Sequence, residues 1–262
     1  MNLNALLRHV SENQTAGFIL VLARVSPLFL LAPIFSSKMV PVRARGVAAV
    51  AIALGMAPLA LHGQKIPMDI DGLGGLIVKE LVVGLAYAFA VAAVFAAVSV
   101  AGGMIDTFVG FSFGSLVDPL SGNQAQVISQ VYSMVGLMVF IAIGGDSFML
   151  EGLGRTYQLV PILKYPALGQ LVGGAVHAFA NIFTAALELA APLIVAMLIT
   201  DAAFGLVARV APQMNIFAVG FPAKIAVAFL VLGVSLPFAG GFIANSLQDG
   251  VGGAIGSLKA AF

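Results

Sequence analysis

The sequence predicts an all-α integral membrane protein, and three observations carry that prediction. Residues of the apolar set AVILMFWYC make up 61% of the chain and charged residues only 9%, whereas a water-soluble domain is near half apolar and a quarter charged. The apolar residues gather into six stretches, 16–35, 46–61, 73–105, 127–145, 175–200 and 216–244. Most of these reach the ~20 residues that cross a hydrocarbon core of ~30 Å at a helical rise of 1.5 Å per residue.

Each element has its own local signals. The first stretch contains Pro27 and Pro33, exceeds the length of a signal-peptide core, and is followed by Ser36-Ser37-Lys38 rather than a small-residue cleavage site. It is expected to be retained. The connector Lys38–Arg45 is basic, and the short second stretch holds Pro58. His62–Gly72 leads into the long third stretch, and Asp106–Gln126 joins that to the fourth. Asp146–Gly174, Asp201–Asn215 and the prolines Pro192, Pro222 and Pro237 punctuate the rest. No connector has room for a soluble domain, so residues 1–262 read as a single membrane domain without a short-period repeat.

Two features argue against simple spanning helices. Lys38, Arg43 and Arg45 place the first connector on the cytoplasmic side by the positive-inside rule. Alternation then makes 106–126 cytoplasmic although it has no basic residue, and 146–174 external although it holds Arg155 and Lys164. The prolines inside apolar runs each remove a ladder hydrogen bond and are expected to kink their helices. Irregular backbone at membrane depth must be buried in protein or line a cavity, and 30 glycines suit close helix contact.

The composition also excludes functions. A formal net charge of +1, without a basic face, argues against nucleic acid. The absence of cysteine removes thiol nucleophiles, disulfides and cysteine zinc sites. Arg24, Lys79, Glu80, Glu188, Asp201, Arg209 and Lys224 interrupt the apolar runs, and an ionisable group at such depth needs a partner or water. Arg24, Glu80, Glu188 and Asp201 are expected to be buried. Lys79 and Glu80 are sequence neighbours whose side chains are expected to diverge, and no carboxylate ladder of the transporter kind is visible.

The string Gly110-Phe-Ser-Phe-Gly114 matches G-x-S-x-G, the pattern of a nucleophile elbow. That elbow needs a strand before the serine, a helix after it, and a histidine with a carboxylate. Here the preceding residues end an apolar helix, Pro119 makes the following residues a turn, and His9, His62 and His177 stand in no such frame. No catalytic, metal or cofactor-binding residues are assigned. Large rings alternating with glycines, without charge, suit a deformable stopper instead. Phe108, Phe111 and Phe113 would fill a lumen while Gly110 and Gly114 let the segment move.

Several blocks of residues resemble the FliR family, the export-gate proteins of flagellar and type III secretion systems. Ala23-Arg24, Pro27, Pro33 and Val40-Pro-Val-Arg43 are similar to its amino-terminal pattern. Gly110-Phe111, Leu116-Val-Asp-Pro119, Ser121-Gly122 and Ser129-Gln130 are similar to its middle. The most specific likeness is Gly205-Leu-Val-Ala-Arg-Val-Ala-Pro-Gln-Met-Asn-Ile-Phe217, continued by Val219-Gly-Phe-Pro222 and Lys224. Asp146 departs from the family pattern, which leads to an expected histidine after Gly144-Gly145.

The resemblance implies an all-helical, non-enzymatic chain of kinked hairpins packed into a hetero-oligomeric export gate. FliP-like and FliQ-like membrane subunits, FlhB-like and FlhA-like export proteins, unfolded export substrates and membrane lipid are its implied partners. It implies a place in the bacterial inner membrane, at the flagellar basal body, and a plug loop near residues 108–122. No cofactor is implied. At the last turn, Pro212 stops a helix, Gln213 and Asn215 offer amide donors and acceptors to a buried tip, and Gly220 and Pro222 set the following helix. Arg209, Phe217 and Lys224 complete this subunit-packing turn. The alternative is a secondary transporter or ion channel using Glu188, Asp201 and Lys224 at a discontinuous-helix site.

Overall fold

The computed structural model describes residues 12–36, 40–61, 66–67, 69–111 and 126–261, and among them there is no strand. The helices are α1 (Glu12–Leu31), the single turn α2 (Pro33–Ser36), α3 (Val42–Leu61), α4 (Ile70–Val109), α5 (Val127–Ala142), α6 (Gly145–Leu159), α7 (Leu168–Val210) and α8 (Ile216–Ala260). The all-α membrane architecture predicted from composition is what forms. Among the described residues, five helices are long and apolar enough to cross a membrane: α1, α3, α4, α7 and α8.

The helices extend beyond their apolar stretches. α4, α7 and α8 run for 40, 43 and 45 residues, or about 60–68 Å at 1.5 Å per residue, twice a hydrocarbon core. The region 146–174, expected as a connector, supplies α6. It starts after Gly144, whose φ of 65° breaks the path from α5, and Asp146 lies in its first turn, where a carboxylate suits the helix dipole. Pro33 opens α2, a position where its missing N–H is harmless. Pro27, Pro58, Pro192, Pro222 and Pro237 sit inside helices, so the carbonyl four residues before each has no ladder donor.

The chain divides into two compact units. The first is Met1–Ala93 with Gly144–Phe179 and Gln248–Phe262. Here α1 packs on α3, and a Cβ at Gly17 would meet the Leu61 side chain at 2.5 Å. At Gly84 of α4 a Cβ would run into the backbone carbonyl of Arg24, so this glycine permits α4 to cross α1 at backbone contact. Tyr87 donates to the Met149 carbonyl at 2.7 Å, its ring end lying over Gly152. Val83, Val160, Leu171, Leu258 and Ala261 form a buried cluster.

The second unit is Val94–Ile143 with Ala180–Leu247. In it α4 and α5 approach closely at Gly102, where a Cβ would overlap the backbone of Ser129. Ser129 Oγ donates to the Ser99 carbonyl at 3.0 Å across the same contact. Small residues that let backbones touch are the usual means of packing helices in lipid, where apolar burial gives no drive. By contrast, only 17% of the most apolar part of α3 and of α8, and 33% of that of α7, is buried within the chain.

Candidate functional site

The neck of the 110–126 connector is organised by Asp106. This residue lies one turn before the end of α4 and is 1% exposed. Its backbone carbonyl accepts from Gly110 N at 3.1 Å and Phe111 N at 3.0 Å. Gly110 has φ +100°, the left-handed conformation that ends helices and favours glycine. The Asp106 carboxylate reaches α5, accepting from Ile128 N at 2.8 Å and Ser129 N at 3.0 Å. Those are the second and third amides of α5, the donors that an N-cap side chain normally satisfies, and Gln126 at the cap makes no such bond. One aspartate thus terminates one helix and starts the next, and its charge suits the helix N-terminus.

The expected stopper is only partly placed. Phe108 is in the last turn of α4 rather than in an irregular loop, and it is 37% exposed. Phe111 leaves the helix end and meets Phe221 of α8 edge-on, with centroids 6.5 Å apart. The Phe221 ring also lies 3.5 Å from where a Cβ on Gly110 would stand. Ser112, Phe113 and Gly114 lie outside the described residues. A helix, not a strand, precedes Ser112, so the local frame of a nucleophile elbow does not form. Asp106→Ala should weaken the start of α5 by about 1–2 kcal/mol, read as faster amide exchange at Ile128 and Ser129. Asp106→Asn, which keeps one acceptor oxygen, should lie between the two.

A second fastening is built from charge. Arg24 and Glu80 are both fully buried. Arg24 pairs with Glu80 through Nε and through Nη2, the latter at 2.9 Å. Lys79 Nζ meets Glu80 Oε1 at 2.5 Å, so the two neighbouring side chains converge, against the expected divergence. Both are long enough to swing along the helix surface to a shared target.

That target is the C-terminal end of α6. Arg24 donates to Val160 O at 2.7 Å and Thr156 Oγ1 at 3.3 Å, and its guanidinium lies 4.1 Å from the Tyr157 ring centroid. Lys79 donates to the carbonyls of Pro161, Ile162 and Lys164 at 3.1, 2.6 and 3.3 Å. Two cations and one anion leave an excess positive charge in the interior. The partly negative carbonyl end of α6 balances it. The arrangement pins α1, α4 and the α6 terminus together.

The other ionisable residues are not enclosed by the chain itself. Glu188 and Asp201, expected to be buried, are exposed on the chain. Neither is covered by the chain itself, and thirteen residues apart they point to different sides of α7. Asp201 pairs with Lys224 of α8 at 2.8 Å. Glu188 is thirteen residues from Asp201, about 20 Å along the helix, and does not join the pair.

The turn between α7 and α8 is not enclosed by the chain itself. Pro212, Gln213 and Asn215 are exposed on the single chain, as is Arg209. α7 does stop at Val210, just ahead of Pro212. The start of α8 is set by Asn215, whose Oδ1 accepts from Ala218 N at 3.2 Å. Gly220 and Pro222 fall inside the helix instead, Gly220 buried and Pro222 exposed. The Phe217 side chain lies outside the described residues.

Fold and fastenings together define an all-α integral membrane protein whose long helices remain largely uncovered. Comparison with known proteins gives the class a family. The family described as bacterial export proteins, family 1, matches residues 15–250. The flagellar biosynthetic protein FliR of Escherichia coli (strain K12) is 32% identical over 228 residues, covering 87% of each chain. FliR of Bacillus subtilis (strain 168) is 31% identical over 222 residues, covering 82% of this chain and 84% of that one. The surface presentation of antigens protein SpaR of Salmonella typhimurium (strain LT2) is 28% identical, covering 86% and 83%. The chain belongs to bacterial export proteins, family 1, the family of FliR, and is a membrane component of flagellar and type III secretion export.

Proposed function

We propose that the chain is a subunit of the flagellar export gate, working as a single membrane domain in the bacterial inner membrane at the flagellar basal body. With FliP-like and FliQ-like subunits it forms the channel through which unfolded flagellar proteins cross, next to FlhB-like and FlhA-like export proteins. The segment near residues 108–122 closes that channel, and no enzymatic step is assigned to the chain. The observation that carries this reading is the uncovered apolar surface of α3, α7 and α8 on a chain of this family. Helices about twice the length of a hydrocarbon core cannot be sheathed by lipid alone, and irregular apolar backbone demands protein around it. The flagellar assignment rests on two FliR proteins at 31–32% identity, whereas other FliR proteins, at 25–29%, overlap the injection-system relatives at 28–29%.

The test is purification of the tagged chain from its own host. It should bring down two small helical membrane proteins, and recovery of a self-sufficient monomer would refute the reading. Within the assembled gate, Phe111→Ala combined with Phe113→Ala should make membranes leaky to small ions. Unchanged conductance with normal assembly would remove the closing role from these rings.

A further inference from the structure

Glu188 stands near the middle of α7, and from Ala185 to Ile199 it is the one polar side chain. It is exposed, flanked by exposed Leu187 and Val195, each 54% exposed. Among the described residues it has neither an ion-pair nor a hydrogen-bond partner. Its own unit cannot supply a counter-ion. Residues 94–143 contain no lysine or arginine, and 180–247 contain Arg209 and Lys224 only. Lys224 is taken by Asp201, and Arg209 is about 30 Å away along the helix.

A second observation falls on the same spot. Pro192 lies four residues further on, and its nitrogen carries no hydrogen, so the backbone carbonyl of Glu188 has no ladder donor. Glu188 therefore carries two acceptors without a donor among the described residues, its carboxylate and a backbone carbonyl one turn ahead of Pro192. The neighbours one turn away, Thr184, Ala185 and Ala191, are small, which lets another helix approach closely. A carboxylate in such a setting is paired or watered, and a cation with several N–H donors answers both acceptors at once.

We propose that Glu188 is the docking point for a lysine- or arginine-bearing membrane helix of a neighbouring subunit, which seats on the Thr184–Ala191 face of α7. This rests on the reading of the chain as part of a larger membrane gate. Because the chain has no cysteine, Thr184→Cys gives a sole thiol on that face with Glu188 intact. Wild-type co-purification comes first, and its failure would refute the gate reading itself. Where the wild type assembles, Glu188→Lys should cut recovery of the complex about tenfold and Glu188→Gln should cut it less. Suppressors that regain export should replace a lysine or arginine in a membrane helix of another subunit by an acidic or neutral residue. In the assembled gate, the thiol of the Thr184→Cys variant should react with a membrane-impermeant maleimide at least about tenfold slower than a free thiol.

Normal assembly of Glu188→Lys would assign this face to lipid and overturn the proposal. Labelling of the Thr184→Cys variant at the rate of a free thiol would assign the face to a water-filled lumen and overturn it too. So would suppressors confined to this chain.

Discussion

Replacing Glu80 with alanine is expected to remove more stability than any other single change. Among the described residues Glu80 is the only anion between Arg24 and Lys79, and Arg24 and Glu80 are fully buried. Its removal leaves two cations facing each other at the end of α6, and breaking a buried pair in this way costs about 3–5 kcal/mol. Glu80→Gln should be nearly as harmful, since it keeps the shape but loses the charge. Adding Lys79→Met to Glu80→Gln returns the interior to its original net charge and should recover part of the loss. The measurement is the fraction of chain still in the detergent-extracted complex after graded heating. A Glu80→Gln chain as heat-resistant as the wild type would show that the cluster is not what fastens α1 to α4.

The second large effect is expected at Gly102, with its neighbour as control. A single methyl at Gly102 would overlap the backbone of Ser129, and a backbone cannot swing aside as a side-chain tip can. Overpacking of this kind costs about 1–3 kcal/mol or more. It would also part Ser129 from the Asp106 carboxylate, so the connector neck should loosen with it. Gly103 meets nothing within 4 Å, and alanine there should be neutral or stabilising by up to about 1 kcal/mol through helix propensity. Motility of cells carrying each variant gives the readout. Gly102→Ala should fail to spread in soft agar while Gly103→Ala spreads normally. Equal spreading would mean that α4 and α5 are not pressed together there.

Much of the fold is legible because apolar run length is a local property. The positions of α1, α3, α4, α7 and α8 follow from it, and the FliR likeness is carried chiefly by the long block Gly205–Phe217 with its continuation to Lys224. Pairing between helices is what a single sequence hides. Arg24 lies 56 residues from Glu80, and no periodicity within one helix reports a partner on another. The expected divergence of Lys79 and Glu80 fails because adjacency fixes the direction of Cβ atoms, not where long side chains end. Asp106 reads in sequence as the first residue of a connector. Its only local signal is a carboxylate four residues before a glycine at the end of an apolar run, which does not disclose that it caps the following helix. That the chain itself leaves Glu188 and Asp201 exposed is not legible either, because hydropathy separates apolar from polar sequence, not the faces of one helix.

The length of α4, α7 and α8 bears on how the protein is made. Within the gate proposed above, a newly synthesised copy would present more apolar helix than a bilayer core can cover until its partner chains arrive. On the gate reading proposed above, its lifetime in the cell would be governed by the supply of those chains rather than by its own folding, so balanced synthesis, not abundance, would set how many copies survive proteolysis.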